Sequence, residues 1–202
     1  MSEVYDVLLA SHVTDAEVRR RLARYLSLLE HWARTHNLVA ATTPEELVGR
    51  HVLEALAGVE ALPARPGLLV DVGSGAGLPG VPLLCAASHW RGVLVEPRQK
   101  RWTFLRLVIR ELGLSAEAVR MRFQDLPGDV KEISVVCARA LGRHDELLRW
   151  AKPRLASGGK VVLWTTVEGC EALARVADWR VVSSPLPGLA SGRLAELQPC
   201  FT

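Results

Sequence analysis

The stretch from Val70 to Gly80, VDVGSGAGLPG, contains the residues with the clearest potential for chemistry. Four of its positions are glycine, namely Gly73, Gly75, Gly77 and Gly80, and they directly follow an apolar run. Because glycine has no side chain and adopts backbone conformations closed to other residues, the main chain of such a loop can approach a ligand closely. Glycine-rich loops between a strand and a helix bind nucleotides and related cofactors. The sequence therefore predicts a cofactor site in this loop.

The loop matches the sequence patterns of two different cofactor sites. Gly75, Gly77 and Gly80 match the dinucleotide pattern G-x-G-x-x-G, and Glu96 follows about 20 residues later, as an NAD site requires. Asp71 and the first three glycines instead match D-x-G-x-G-x-G, the pattern of S-adenosylmethionine (SAM) sites.

Register and charge both favour SAM. In a dinucleotide loop the first glycine follows the strand directly, whereas Gly75 lies two residues beyond Gly73. Asp71 would repel a pyrophosphate, but a carboxylate suits the ammonium and sulfonium groups of SAM. Glu96, at the end of the next strand, is then placed to accept hydrogen bonds from both ribose hydroxyls. A tight turn that needs glycine for its backbone alone is the structural alternative.

The elements that must position this loop follow from the pattern after residue 67. Amphipathic stretches alternate there with short apolar runs, and helices are predicted at Leu83–Ala87, Gln99–Leu112 and Glu168–Ala177. This alternation predicts an α/β fold with a mostly parallel, seven-stranded sheet. The last two strands are joined through PLPGLASG as a hairpin, so one strand must be antiparallel. The seven predicted strands are LLVDV, GVLVE, AVRMR, ISVVCA, KVVLW, WRVVSS and RLAELQ.

The part of the chain before the loop is predicted to be helical. Thr14 and Glu17 form a capping-box pattern before one helix, and Thr43, directly before a proline, marks the start of a second. The turn-rich segment LPARPG follows. The sequence thus predicts a helical extension over residues 1–66 and a cofactor-binding domain over residues 67–202, packed as one compact unit.

Charge and composition narrow the classes of function. The 202-residue chain has a net charge of +3, and seven basic against two acidic residues lie between Arg98 and Arg122. Such a concentration beside a ligand site suggests a polyanionic partner such as RNA, with a solvated arginine-rich helix face as the alternative. No apolar run approaches the roughly 18 residues of a membrane span, the N-terminus lacks a basic signal region, and the four cysteines are scattered. We therefore expect a cytoplasmic protein without membrane association.

Specific motifs give this chain a resemblance to a known family. DVGSGAGLPGVPL followed by VEPRQKRWTFL resembles the bacterial 16S rRNA guanine-N7 methyltransferases, the RsmG or glucose-inhibited division protein B family. The Leu78–Pro79–Gly80 tail of the loop and the Lys100–Arg101 pair are more specific than the glycines. The resemblance covers roughly residues 20 to 198 and extends to VVCARAL and SGRLAEL. In the N-terminal part, the family positions are matched by Trp32, Asn37, Leu38 and His51.

The resemblance implies a fold and a reaction. The fold would be a Rossmann-like class I SAM-dependent methyltransferase with an N-terminal helical extension. The substrate would be a guanine in the 530 loop of 16S rRNA, within the small ribosomal subunit or an assembly intermediate. Guanine N7 has a free lone pair and no proton, so direct in-line transfer needs no general base. No metal is expected, and nothing in the sequence demands more than a monomer.

The resemblance, with the residue patterns, assigns roles to particular side chains. Arg139 is predicted to face the reaction site and hold a phosphate or guanine O6; an ion pair with Asp145 or Glu146 is the alternative. The predicted RNA contacts are Lys100, Arg101, Arg122 and Arg193. The predicted SAM-binding residues are Asp71, Gly73, Ser74, Gly75, Gly77, Leu78, Glu96, Phe123, Gln124, Asp125 and Arg139.

Departures from the family pattern keep alternatives open. Gln124 stands where an acid is usual, although Asp125 next to it could contact the adenine amine. Thr165–Thr166 replace the usual Lys-Gly, and Ala138 replaces a serine. A non-catalytic RNA-binding or ribosome-assembly protein that retains the SAM pocket is therefore a second hypothesis, and an NAD-dependent oxidoreductase is a third. His51 is interpreted as a satisfied structural histidine.

Overall fold

The protein is described by a computed structural model over residues 2–36 and 43–200. Within these ranges the strands form one seven-stranded sheet with the order β3-β2-β1-β4-β5-β7-β6. All neighbours are parallel except β7, which runs antiparallel to both β5 and β6. The predicted fold class, with its single antiparallel strand, is confirmed. Asn37 and Leu38 lie outside the described residues.

The observed strands lie close to their predicted positions. The third strand was expected at AVRMR but begins and ends earlier, because Ala116–Val119 pairs in register with Gly92–Val95 and the chain then leaves the sheet. The strands are β1 Leu68–Val72, β2 Arg91–Val95, β3 Ala116–Val119, β4 Ile133–Arg139, β5 Leu155–Thr166, β6 Trp179–Pro185 and β7 Gly192–Pro199.

Eight α-helices occur in the described ranges, with one π-helical segment at Val48–Leu53 in the extension. Short 3₁₀ turns lie at Ala57–Val59, Phe123–Asp125 and Lys152–Arg154. The α-helices are α1 Ser2–Leu9, α2 Ala16–His36, α3 Pro44–Leu47, α4 Glu54–Leu56, α5 Gly80–Ala86, α6 Gln99–Leu112, α7 His144–Ala151 and α8 Val167–Leu173.

Local capping explains where the first helices begin. Thr43 caps α3 as predicted, since its side chain accepts a hydrogen bond from the Glu46 amide at 3.2 Å. The cap of α2 is Asp15 rather than Thr14: Asp15 Oδ1 accepts hydrogen bonds from the amides of the second and third helical residues at 2.8 and 3.0 Å. Thr14 was the wrong choice because the helix begins one residue later than the capping-box pattern requires.

The helical extension shares a hydrophobic core with one face of the sheet. Tyr25 and Leu26 of α2 are fully buried in a cluster that contains Leu83 of α5 and Phe104 of α6. The other face is covered by α7, where Leu147 and its neighbours pack on the alternate residues of β1 and β4. The division at residue 66 stays a prediction. In residues 2–36 and 43–200, no helix is both long and apolar enough to cross a bilayer.

The strand order positions the site. The chain moves outward from β1 through β2 to β3 on one side, and from β4 onward on the other. Ligands of open α/β sheets bind at such a switch point, at the carboxyl ends of the strands. Here the glycine loop follows β1, Glu96 follows β2 and Arg139 ends β4.

Candidate active site

The glycine loop is tied to the end of β2. The amides of Gly73 and Ser74 both donate to the Val95 carbonyl, at 2.9 and 3.0 Å. Gly73, Gly75 and Gly77 have φ values of +71°, +59° and +97°, a region that side chains rarely allow. The glycine spacing therefore encodes a particular backbone path.

The three glycines differ in what surrounds them. A Cβ on Gly73 would have only Leu141 Cδ1 nearby, at 3.5 Å, and one on Gly75 would lie 3.7 Å from Arg101 Nη1. A Cβ on Gly77 would lie 2.6 Å from Val81 Cγ2. A side-chain carbon at the first two glycines would thus make only ordinary van der Waals contacts, whereas the third glycine is packed tightly against α5.

Asp71, near the end of β1, stabilises this loop by hydrogen bonds. It is fully buried, and its Oδ2 accepts hydrogen bonds from Ser74 Oγ at 2.5 Å and from the Gly80 amide at 3.1 Å. Burial raises the pKa of the Asp71 carboxyl to about 6, and these hydrogen bonds counteract part of that rise. Asp71 and Ser74 are both buried, so the structure places them where they shape the loop.

Glu96, directly after β2, contacts the glycine loop. Its carboxylate is almost fully buried; Oε2 accepts a hydrogen bond from the Gly75 amide at 3.0 Å, and Oε1 accepts one from the Arg98 amide at 2.8 Å. A carboxylate has about four lone-pair sites, so both oxygens retain acceptor capacity. Glu96 can therefore order the loop and still bind hydroxyl groups.

The segment after β3 contains the next three predicted site residues, Phe123, Gln124 and Asp125. Phe123 is buried edge-on against Trp150, with ring centroids 5.5 Å apart, while Asp125 is exposed. Gln124 Nε2 donates to Glu146 Oε1 at 2.6 Å, and Gln124 Oε1 is buried without a hydrogen-bond partner in the described part of the chain. An acid at this position would face the Glu146 carboxylate, so the amide fits this neighbour better. The hydrogen bond from Gln124 lowers the pKa of Glu146.

Arg139 is bound to the helical extension. Its Nη2 lies 2.9 Å from Glu54 Oε2 and donates to the Arg50 carbonyl at 3.0 Å. The alternative sequence prediction, an ion pair with Asp145 or Glu146, is wrong in its partner. Burial raises the pKa of Glu54, and the charge of Arg139 opposes that rise. Sequence reasoning did not select Glu54; an acid among apolar residues of RHVLEAL was the available signal.

Two aromatic side chains, Trp164 and His51, lie near this contact. Trp164 is buried at the end of β5, and its Nε1 donates to the Glu54 carbonyl at 2.6 Å. His51 was interpreted as satisfied, but both ring nitrogens are buried without a partner within the described ranges. Burial, followed by the charges of Arg139 and Arg50, lowers the pKa of His51 to about 4. A neutral imidazole therefore lies beside the Arg139 guanidinium.

The four predicted RNA contacts are not all together. Lys100 and Arg101 lie in the first turn of α6, with Arg101 beside the glycine loop, and Arg122 is exposed before Phe123. Arg193 begins β7, beyond β5, and its Nη1 donates to the carbonyls of Ala190 and Gly192. The structure therefore places Arg101 beside the glycine loop, Lys100 in the same helical turn and Arg122 in the segment after β3, whereas Arg193 lies beyond β5.

The remaining predicted residues and departures have local explanations. Leu78 is half-buried after the loop, and Ala138 is buried in β4. Thr166 caps α8 by accepting a hydrogen bond from the Gly169 amide at 3.2 Å. The Thr165–Thr166 departure thus includes a side-chain hydrogen bond to the helix N-terminus, which a glycine at this position would lack.

Comparison with known proteins gives consistent similarities. A family model described as rRNA small subunit methyltransferase G matches residues 18–176. Proteins named ribosomal RNA small subunit methyltransferase G are similar in sequence. The one from Stenotrophomonas maltophilia is 36% identical over 189 residues, 92% of this chain and 88% of that protein. The one from Cereibacter sphaeroides is 34% identical over 188 residues, 90% of each. One from Nitrosomonas eutropha is 36% identical over 138 residues, 68% of this chain and 63% of that protein.

Solved structures agree on the fold. A methyltransferase from Geobacter sulfurreducens superimposes with a TM-score of 0.64 at 17% identity, covering 98% of this chain and 96% of the other. A ribosomal protein L11 methylase from Lactobacillus delbrueckii subsp. bulgaricus gives a TM-score of 0.60 at 13% identity, covering 73% and 77%. At these identities the similarity establishes the Rossmann-like methyltransferase fold alone.

Proposed function

This chain belongs to the rRNA small subunit methyltransferase G family, and on that premise we propose that it methylates N7 of a guanine in the 530 loop of 16S rRNA, using SAM. The observation that carries the proposal is the pairing of the glycine loop with Glu96. Three glycines have positive φ, two of them have no neighbour closer than ordinary van der Waals distance to an added Cβ, and the buried Glu96 carboxylate accepts a hydrogen bond from the loop. A positively charged, ribose-containing cofactor suits this combination better than a pyrophosphate does.

The residues present fit SAM. SAM would lie beside Gly73 and Gly75, in a space that we call the cradle; a Cβ at either glycine would project toward it, with its nearest contacts at 3.5 and 3.7 Å. Glu96 would accept hydrogen bonds from the ribose hydroxyls, and the amino-acid carboxylate of SAM would accept hydrogen bonds from backbone amides of the loop. Gln124 Oε1 is a buried acceptor without a partner in the described residues, and it would accept a hydrogen bond from the adenine amine. The Gln124 departure therefore preserves an acceptor at this position.

In this reaction the protein has to align the reacting groups, and it does not have to transfer a proton. Bound SAM supplies an electrophilic methyl group on a sulfonium. Guanine N7 presents its lone pair in the plane of the base and carries no proton, so no side chain has to remove one. Correct placement of reacting groups is worth up to about 7–11 kcal/mol. Arg139, fixed by Glu54, would hold guanine O6 or an adjacent phosphate and so orient the base.

We propose that the protein acts as a monomer in the cytoplasm and binds the rRNA within the small subunit or an assembly intermediate. Lys100, Arg101 and Arg122 would contact phosphates near the cleft, and Arg193 would contact RNA from beyond β5. An unpaired loop guanine can be splayed out of its stack toward such a cleft.

The test uses small subunits from cells that lack this modification, the purified protein and methyl-labelled SAM. Digestion of the rRNA to nucleosides identifies the product, and label in 7-methylguanosine is expected. The Gly75→Val variant should lose the label because its side chain fills the cradle, whereas Gly128→Ala should retain it because nothing lies within 4 Å of that position.

Each other outcome selects an alternative. Label in another nucleoside would keep the methyltransferase and overturn the N7 target. No label despite RNA and S-adenosylhomocysteine binding would favour the non-catalytic assembly protein. Thermal protection by NADH but not by S-adenosylhomocysteine would favour the oxidoreductase.

A further inference from the structure

Six cations form an unpaired set on one flank of the molecule. They lie on α6, in the residue before it and in the segment after β3, and among the described residues none forms an ion pair. Five of the six are exposed and Arg101 is half-buried. The six residues are Arg98, Lys100, Arg101, Arg106, Arg120 and Arg122.

Two of these cations share an aromatic platform. The guanidinium carbon of Arg106 lies 4.9 Å from the centroid of the Trp102 ring, and that of Arg120 lies 5.8 Å from it. Both distances are within the range of cation–π attraction. The ring therefore holds two like charges near each other without a carboxylate.

The platform is fixed to the sheet. Trp102 Nε1 donates to the Ala118 carbonyl at 2.9 Å. In β3 the carbonyls of Ser115 and Val119 accept hydrogen bonds from the β2 side, so the Ala118 carbonyl points outward from this edge strand. The indole covers that edge group, which would otherwise be open. The position of the two guanidiniums is thus set by backbone geometry.

Another arginine-rich helix in this protein behaves differently. On α2, Arg19 pairs with Asp6, Arg20 and Arg21 pair with Glu17, and Arg24 pairs with Glu111 at 2.6 Å. These four guanidiniums of α2 are thus neutralised within the chain, and the two beside Trp102 are not.

We propose that Arg106, Trp102 and Arg120 form a contact surface for the RNA backbone, outside the methyl-transfer cleft. The surface lies one strand beyond β2, whose end carries Glu96, so it would hold nucleotides that flank the target base. The inference rests on the proposed function for its choice of RNA as the partner. Arg120 also lies close in sequence to Arg122, which connects the surface to the rim of the cleft.

The chemistry of the surface fits phosphate rather than bases. Each guanidinium presents five N–H donors in a planar fork that matches phosphate oxygens. Neither Arg106 nor Arg120 donates a hydrogen bond to another described residue, whereas the face of Trp102 is taken by these two groups. Contacts of this kind fix register and orientation without reading sequence.

The test compares two double variants with the same loss of charge. Arg106→Gln/Arg120→Gln removes the surface, and Arg20→Gln/Arg110→Gln removes two exposed arginines that are paired with Glu17 and Glu111. Binding of a fluorescein-labelled RNA stem–loop with the 530-loop sequence is measured by anisotropy between about 50 and 200 mM KCl. Calorimetry with S-adenosylhomocysteine checks that both variants keep the cofactor site.

The slope of log affinity against log salt should become shallower by about 1.4–1.8 in the Arg106/Arg120 variant, because each lost phosphate contact removes about 0.7–0.9. The control should keep a slope near that of the wild type. Equal slopes in both variants would overturn the surface, as would competition by polyglutamate as strong as that by RNA, which would indicate an acidic protein partner. If the two double variants show this slope difference but the wild type transfers no methyl group, the proposed function is overturned and the contact surface stands.

Discussion

The glycine loop and the Arg139–Glu54 contact lie at the same edge of the sheet, but they are held in different ways. The loop spans a few residues and is closed by its own members: Ser74 and Gly80 donate to Asp71. The second contact joins residues far apart in sequence, because Glu54 belongs to the extension and Arg139 ends β4. Each buries a carboxylate: that of Asp71 accepts hydrogen bonds from neutral donors, whereas that of Glu54 is paired with the Arg139 guanidinium.

The conformation of the glycine loop is determined by neighbouring residues, whereas the Arg139–Glu54 contact is determined by the packing of distant elements. The loop's conformation follows from glycines at fixed spacing, and a change there alters the backbone itself. The Arg139 contact depends on how the π-helical segment and α4 pack over the strand ends, and a change there alters the position of one side chain. We therefore expect loop variants to lose the cofactor and contact variants to retain it.

The largest effect is expected from Gly77→Ala. A Cβ at this position would lie 2.6 Å from Val81 Cγ2 on a residue with φ of +97°. Backbone strain and overpacking of about 1–3 kcal/mol each should lower the free energy of unfolding by about 4 kcal/mol. Chemical denaturation and S-adenosylhomocysteine calorimetry measure the loss. Gly128→Ala, with open space around it, is the matched control; equal stability of the two variants would contradict the packing argument.

The next effect is a pH dependence at Asp71. Its pKa of about 6 in the folded protein lies above the ordinary value of 3.8, so the folded state binds more protons than the unfolded state between these values. The stability that this group contributes is present below about pH 4 and is lost as the pH rises through 6, by about 3 kcal/mol in total. Asp71→Asn keeps an acceptor for Ser74 and Gly80 but removes the titration. The variant should gain stability relative to the wild type over this interval; parallel unfolding curves would contradict the assignment.

A double-mutant cycle on Glu54→Gln and Arg139→Gln measures the long-range contact. Because the Glu54 carboxylate is buried and Arg139 is about one quarter exposed, we expect a coupling of about 1–3 kcal/mol. The exposed pair Lys152–Asp178, treated in the same way, should couple by less than about 1 kcal/mol. S-adenosylhomocysteine affinity should be retained while methyl transfer falls. A loss of cofactor affinity equal to that of Gly77→Ala would remove the distinction between the two regions.

The smallest effect is expected at His51, with the opposite sign to that of Asp71. Its pKa in the folded protein, about 4, lies below the ordinary value of 6.5. The stability it contributes is present above about pH 6.5 and is lost as the pH falls toward 4. Because the ring is partly exposed, we expect only about 1 kcal/mol. Unfolding of His51→Gln and wild type at pH 7.5 and pH 5 measures this: between these values the wild type should lose about 1 kcal/mol relative to the variant, and a wild type that gains stability relative to the variant would contradict the assignment.

The sequence by itself determined the features whose information is local. Alternating apolar runs specified the strands and their approximate ends, and PLPGLASG specified the antiparallel hairpin. The spacing of Gly73, Gly75 and Gly77 specified positive φ at all three. These features were predictable because hydrophobic periodicity and glycine conformation act within a few residues.

The tertiary structure decided which distant side chains meet. It placed Glu54 rather than Asp145 or Glu146 beside Arg139. Glu146 instead accepts a hydrogen bond from Gln124. It also brought Arg120 over Trp102 through the register of β3 on β2. Sequence spacing carries no information about such pairs, because they depend on the packing of whole elements and on the burial that follows from it.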